Sequence, residues 1–170
     1  PLVTASAGAT PFGFAFDKRG HALVSEAFGG AANASAVSSY DFEAWAPAKP
    51  MLVTASLGTT QSAACWVVVT PNSRYAYVTN TGSGTISSYA IQRSGKLTLA
   101  QGIAATSAGG PIDAAISASG RSLFVLNAGS NRITSFSIAG DGKLSDASMV
   151  PGLPAGSNGL AANCALPWLR

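Results

Sequence analysis

Short apolar runs, each closed by a turn of Gly, Pro, Ser, Asn or Asp, recur along the whole chain, and no stretch carries convincing helical spacing. Leu23-Val24-Ser25-Glu26, Tyr77-Val78-Thr79-Asn80 and Phe124-Val125-Leu126-Asn127 each end a strand in a polar residue. Each leads through a Gly/Ser/Ala turn into a further strand that ends in an aromatic ring: Val37-Ser38-Ser39-Tyr40, Ile86-Ser87-Ser88-Tyr89 and Ile133-Thr134-Ser135-Phe136. Ahead of each pair lies an apolar strand, at 12–16, 65–69 and 112–116, and behind it a fourth, at 51–54, 96–99 and 143–145. The period of about 47 residues and four antiparallel strands per unit predict an all-β chain built from β-propeller blades.

The blades are expected at about 11–56, 64–101 and 111–147. Unit one carries an insertion around Gly29-Gly30-Ala31-Ala32-Asn33, because its step from Glu26 to Tyr40 is longer than that from Asn80 to Tyr89. Pro1-Leu2-Val3-Thr4-Ala5-Ser6 nearly duplicates the fourth-strand sequence Pro50-Met51-Leu52-Val53-Thr54-Ala55-Ser56. Residues 154–162 match a unit opening such as 108–115. The chain therefore reads as three whole blades plus a lone strand at each end, 1–6 and 158–162, with 163–170 an unassigned tail. Propellers have about four to eight blades, so three do not close a ring.

Tyr77-Val78-Thr79-Asn80 is the motif that names the YVTN β-propeller repeats. With residues 11–17, 64–70 and 80–89 it resembles the lactonase-family propellers, which include 6-phosphogluconolactonase-like and carboxymuconate cyclase-like proteins. The resemblance runs nearly to Ala162 and rests on framework residues. It implies a seven-bladed ring of about twice this length, of which this chain resembles the C-terminal half. It also implies hydrolysis of a sugar-type or other small lactone at the channel mouth of the completed ring. The competing expectation is a non-catalytic scaffold or binding module formed by association of half-propellers.

Composition narrows the classes. Apolar residues make up 47% and charged residues 10%, with a mean hydropathy of +0.28. No apolar run of about 18 residues is present to span a membrane, so strands buried on both faces explain the dryness. The net charge is +3, and the ten Lys and Arg are spread along the sequence without a basic cluster, which argues against a nucleic-acid or membrane partner. No signal peptide is legible at Pro1, and the expected compartment is soluble: cytoplasmic, periplasmic or secreted. Cys65 and Cys164 form neither a disulfide framework nor a zinc motif, and two free thiols are expected. No metal and no cofactor is expected.

Antiparallel connectivity sorts the candidate chemistry by face. Loops joining strands two and three, and linkers joining blades, share one face; ligand sites on this fold usually occupy it. Glu26, Asn80 and Asn127 end second strands and are expected to ring the channel mouth there, with Gln61, Thr10, Ser62 and Gly110 nearby and Phe28 on the insertion. Glu26 is the candidate general base for water attacking a lactone carbonyl; an ordinary exposed or salt-bridged carboxylate is the competing reading. Phe28, Gln61, Asn80, Asn127 and Asp113 are the candidate ligand-binding residues, Asp113 because its channel-lining strand would aim it into the lumen. An Asn at a strand end ordinarily caps a turn, which competes at Asn80 and Asn127. Trp66 and Cys65 are read as packing residues, and Asn33-Ala34-Ser35 is a formal glycosylation sequon. His21, Arg74 and Arg121 fall on the opposite face, with a surface role expected for His21, and the candidate site face is expected to lack an arginine. Raw apolar faces at both ends predict a homodimer or a complex with a complementary half.

Overall fold

The computed structural model describes residues 3–42, 50–107 and 109–163. Twelve strands run in order: β1 (Pro11–Phe16), β2 (His21–Glu26), β3 (Ala36–Asp41), β4 (Met51–Gly58), β5 (Ala64–Val69), β6 (Tyr75–Asn80), β7 (Thr85–Ile91), β8 (Leu97–Thr106), β9 (Pro111–Ile116), β10 (Ser122–Asn127), β11 (Arg132–Ile138) and β12 (Leu144–Pro151). They form three four-stranded antiparallel sheets, each a meander of consecutive strands, which is the blade of a β-propeller. Helical turns among the described residues are two 3-10 pieces of three residues, Phe28–Gly30 and Ala128–Ser130, each just after a second strand.

The fourth strands end at Gly58, Thr106 and Pro151, beyond 56, 101 and 147. Register shifts interrupt β3–β4, β7–β8 and β11–β12, so the outer strand bends while keeping its partner.

First strands are innermost, and β1 packs on β5 as β5 packs on β9. At Gly13 the approach is so close that a Cβ would lie 2.8 Å from the Cys65 carbonyl oxygen. Alternation then divides each blade into two faces. The seam between blades one and two joins Leu23 and Val37 to Ala76, Val78, Tyr89 and Leu97. That between blades two and three joins Tyr77 and Ile86 to Leu123, Val125 and Phe136. Seam-crossing hydrogen bonds add direction: Tyr89 Oη donates to Leu57 O (2.7 Å) and Tyr77 Oη to Gly142 O (2.9 Å).

The end segments lie outside the three sheets. Residues 3–6 and 158–162 carry no strand pairing, since a lone strand has no neighbour of its own blade; Pro1, Leu2 and the tail from Cys164 lie outside the described residues. Their placement nevertheless follows the repeat. Ala7 N–H donates to Tyr40 Oη (2.7 Å), and Ala7 and Tyr40 are the repeat equivalents of Leu57 and Tyr89. Residues 4–8 thus lie where a preceding blade would place its fourth strand. Phe12, Phe14 and Phe16 remain 52–62% exposed on that side of blade one.

Candidate functional site

We call the end of the blades with the β2–β3, β6–β7 and β10–β11 loops the loop face, and the opposite end the turn face. On the loop face the three residues that close second strands are buried inside the seams instead of ringing a mouth. Glu26 is fully buried. Its carboxylate accepts Ser6 Oγ (2.8 Å), Gly8 N–H (2.7 Å), Ser38 Oγ (2.6 Å) and Ser56 Oγ. All four come from β3, β4 and the segment entering blade one, so Glu26 fastens that segment to the blade. A general base on water needs an accessible oxygen, and Glu26 presents none.

Asn80 and Asn127, also fully buried, occupy the equivalent positions. Asn80 Nδ2 donates to Ser87 Oγ (2.8 Å) and Thr85 Oγ1 (3.3 Å), and Thr85 donates onward to Gln61 Oε1 (3.0 Å). Asn127 donates to Thr134 Oγ1 (3.0 Å) and accepts Ser107 Oγ. In each blade the residue ending strand two is therefore linked, directly or through one side chain, to the linker entering that blade. The turn-capping interpretation of the asparagines is not what these side chains do: their partners among the described residues lie on strands two and three and, for Asn127, the linker, and none is in the adjoining turn. Gln61 is a member of this scaffold, with Nε2 on Thr60 O (3.1 Å). The face is further knitted by Asn33 N–H to Ser62 Oγ (3.0 Å) and Ser62 N–H to Ser83 Oγ (2.8 Å).

Phe28 is half-buried at the head of the first 3-10 turn, with φ of 49°. Its N–H donates to Ala9 O (3.1 Å), while Gly29 N–H donates to Thr10 Oγ1 (3.0 Å). The insertion is thereby held against the linker.

Asp113 is on an inner strand, as expected, and its carboxylate faces the C-terminal segment. Ala114 and Ile116 take the alternate side and pack in the seam with blade two. Asp113 accepts Ala114 N–H at Oδ1 (2.7 Å) and Leu160 N–H at Oδ2 (2.8 Å). Burial raises its carboxyl above the ordinary range, against the lowering effect of those two N–H groups. Cys65 stands near it as a half-buried free thiol. Burial raises the thiol, the Asp113 charge adds to this, and a hydrogen bond with Thr81 lowers it; the net effect is an unactivated sulfur. Trp66 packs in the second seam, as read. Cys164 lies outside the described residues.

Two further expectations require correction. His21 does lie on the turn face, but buried instead of at the surface: its ring packs over Gly95 of the next blade, and Nδ1 sits 3.0 Å from Asp17 Oδ2. Burial pushes Asp17 up, but hydrogen bonds from the His21 ring and from the N–H groups of His21 and Arg19 outweigh it, so its carboxyl is held below the ordinary value. The loop face also has an arginine that the sequence reading missed. Arg132 opens β11 and points outward, Nε to Ser130 O (3.3 Å) and Nη1 to Met149 Sδ (3.8 Å). Its position right after a strand two–three turn was the readable signal.

Among the described residues no group of three His, Cys, Asp or Glu is placed to hold a metal, and no helix is long and apolar enough to cross a membrane. An apolar cavity of about 200 Å3 lies under residues 4–6, against Val24, Tyr40 and Phe42; it belongs to the open side of blade one.

The family model described as lactonase, 7-bladed beta-propeller, matches residues 35–157. No curated protein matches the chain. Among solved structures, the periplasmic gluconolactonase of Pseudomonas aeruginosa superposes with a TM-score of 0.67 at 16% identity, over 89% of this chain and 45% of that one. A protein provisionally assigned as a 6-phosphogluconolactonase from Bacteroides fragilis gives 0.67 at 18%, over 85% and 40%. A functionally unknown protein from Desulfotomaculum acetoxidans gives 0.62 at 20%, over 84% and 43%. These likenesses show the fold, and the chain spans less than half the length of these three structures.

Proposed function

The chain belongs to the lactonase family of seven-bladed β-propellers, and on that premise we propose that it supplies three blades of a ring that hydrolyses a small lactone. The observation carrying the choice of residue is the geometry of Asp113, an inner-strand carboxylate with one N–H donor on each oxygen where Glu26 has four donors in all; burial also raises its carboxyl above the ordinary range. A desolvated carboxylate is a stronger base than an exposed one. Each Asp113 oxygen accepts one N–H and keeps a lone pair. In the proposed reaction Asp113 takes a proton from water as the water oxygen bonds to the lactone carbonyl carbon. The ring C–O bond then breaks, and the proton passes to the leaving alkoxide.

The activity belongs to a completed ring. The exposed phenylalanines of blade one and the half-buried Phe124 and Ile133 of blade three support covering of both ends by a complementary half or a second copy. A non-catalytic scaffold is the second reading. The observation favouring it is Glu26, the candidate base on the loop face, whose carboxylate is saturated by donors.

The test has two steps. Light scattering finds the state in which the chain is assembled, and a pH-stat then follows acid release from D-glucono-1,5-lactone above the spontaneous rate. In the assembled state Asp113→Asn should lower kcat at least about a hundredfold, the usual worth of a general base. Glu26→Gln should keep the kcat of its folded fraction. An assembled ring that hydrolyses nothing supports the scaffold, and full activity in Asp113→Asn removes Asp113 as the base.

A further inference from the structure

The basic residues that the sequence scatters are collected on the turn face. Lys18 and Arg19 occupy the β1–β2 turn, Arg74 the β5–β6 turn and Arg121 the β9–β10 turn; Arg93, Lys96 and Lys143 lie on turns into fourth strands. The described carboxylates at this end are Asp17, Asp41 and Asp141. Asp17 is engaged by His21 and Arg19, and Asp141 by Lys143 at 2.8 Å. Lys18, Arg74, Arg93, Lys96 and Arg121 form no ion pair among the described residues.

Between blades two and three this face opens into a polar groove of about 330 Å3. Thr70, Asn72 and Tyr75 form one wall, and Ser119, Arg121 and Ile138 the other. Arg121 is its one charged lining residue. Asn72 Oδ1 accepts Thr70 Oγ1 (2.8 Å) and Arg74 N–H (3.0 Å), which leaves the amide's two N–H donors unused. The Tyr75 ring is half-buried, with the Arg74 guanidinium 5.6 Å above its centroid.

The first seam shows what the second lacks. There, the position of Thr70 is taken by Asp17, whose carboxylate answers His21 and Arg19 from inside the protein. Lys18 N–H crosses to Ser73 Oγ (2.9 Å) and closes that seam. The second seam keeps the cation and the donors, has Thr70 where the first has a carboxylate, and stays open; Asp141, on the turn beside it, is paired with Lys143. We propose that this groove binds a small organic anion, a carboxylate or phosphate on a compact polar body. Arg121 pairs with the oxyanion, Asn72 donates to it, and the Tyr75 ring supports the body of the ligand. The site is separate from the lactone chemistry proposed at Asp113, which sits on β9 toward its loop-face end at Pro111.

The test is an amide NMR titration of the chain with sodium phosphate and, separately, sodium gluconate, at constant ionic strength. Saturable shifts are expected at Asn72 and Ser119–Arg121. A response to one probe alone identifies the oxyanion as phosphate or carboxylate. Arg121→Gln should weaken binding about tenfold, the worth of one charge-assisted bond, and Arg93→Gln, on the same face outside the groove, less than about twofold. Thr70→Asp, which rebuilds the carboxylate of the first seam, should also abolish saturation while leaving the remaining amide spectrum in place. Unsaturable shifts with both probes, equal losses in Arg121→Gln and Arg93→Gln, or retained binding in Thr70→Asp would each overturn the site.

Discussion

Replacing Glu26 separates a fastening role from a ligand-binding one. Four donors converge on this carboxylate, which is shielded from solvent, and they belong to three different parts of the chain. Glu26→Ala removes the acceptor and leaves Gly8 N–H and three hydroxyls to find others. Breaking a buried charged network from one side costs about 3–5 kcal/mol. Hydroxyl rotation recovers part of this, so about 4 kcal/mol is expected. For a chain of this size each kcal/mol moves Tm by about 2–4 °C, which gives a fall of about 8–16 °C. Glu26→Gln keeps the shape and one oxygen for the three donors at Oε1, while the Ser56 hydroxyl can turn to accept from the new amide. It loses charge assistance alone, about 1–2 kcal/mol, or roughly 2–8 °C. Calorimetry and urea unfolding on the same preparations give both numbers. Hydrogen exchange adds location: Ala7 and Gly8 amides should lose protection first, before any in β5–β8. A Gln variant that melts with the wild type but loses ligand binding or turnover would refute this reasoning and return Glu26 to the channel mouth.

Tyr89→Phe should cost about 1–2 kcal/mol in urea unfolding, because Leu57 O loses its donor across the first seam; no measurable change would mean that this bond does not hold the blades together. Gly95→Ala should destabilise by more than about 1 kcal/mol, since φ is +77° and a Cβ would meet the His21 ring at 2.6 Å. Gly29→Ala, with φ of +62° and open space around it, is the milder control. Asp17 has a folded pKa below its unfolded value of 3.8, so its stabilising share is complete above that value and is lost as pH falls through the folded pKa. Asp17→Asn should therefore remove part of the acid limb of the stability curve, and an unchanged limb would contradict the pairing with His21. Cys65 should react with iodoacetamide more slowly at neutral pH than a free thiol peptide, since its pKa is raised; faster labelling would point to an activated sulfur.

What the sequence made legible is the part that repeats. Strand boundaries, turns and seams recur because each blade solves the same packing problem, so Tyr40, Tyr89 and Phe136 fall into register without any knowledge of contacts. The burial of Glu26 was harder to see, because exposure at a strand end depends on what the entering linker does. The readable signal was nevertheless present: the only Glu among three equivalent positions coincides with matching Thr-Ala-Ser runs at 4–6 and 54–56, and both serines bond it. His21 defeated sequence reasoning for a different reason. Its distance from the turn marks it as accessible within its own blade, and it is the following blade's Gly95 turn that covers it. The partner of Asp113 was not legible either, because the side chains of its inner strand alternate between the seam with blade two and the C-terminal segment.

The same topology explains how an unclustered sequence yields a charged face. In a four-stranded meander the first and third turns emerge at one end and the second at the other. A basic residue placed in either of two turns per blade, however distant from the next along the chain, is therefore stacked beside it in space. Arg74 and Arg121, at matching positions in adjacent blades, are the clearest instance. The loop face gains no such sum, and its Arg132 is turned to the outer strand. This stacking is the electrostatic basis of the anion site proposed at the open seam, where Arg121 has no ion-pair partner among the described residues. The two ends of these blades accordingly differ in charge, and the difference is set by which turns carry the basic residues.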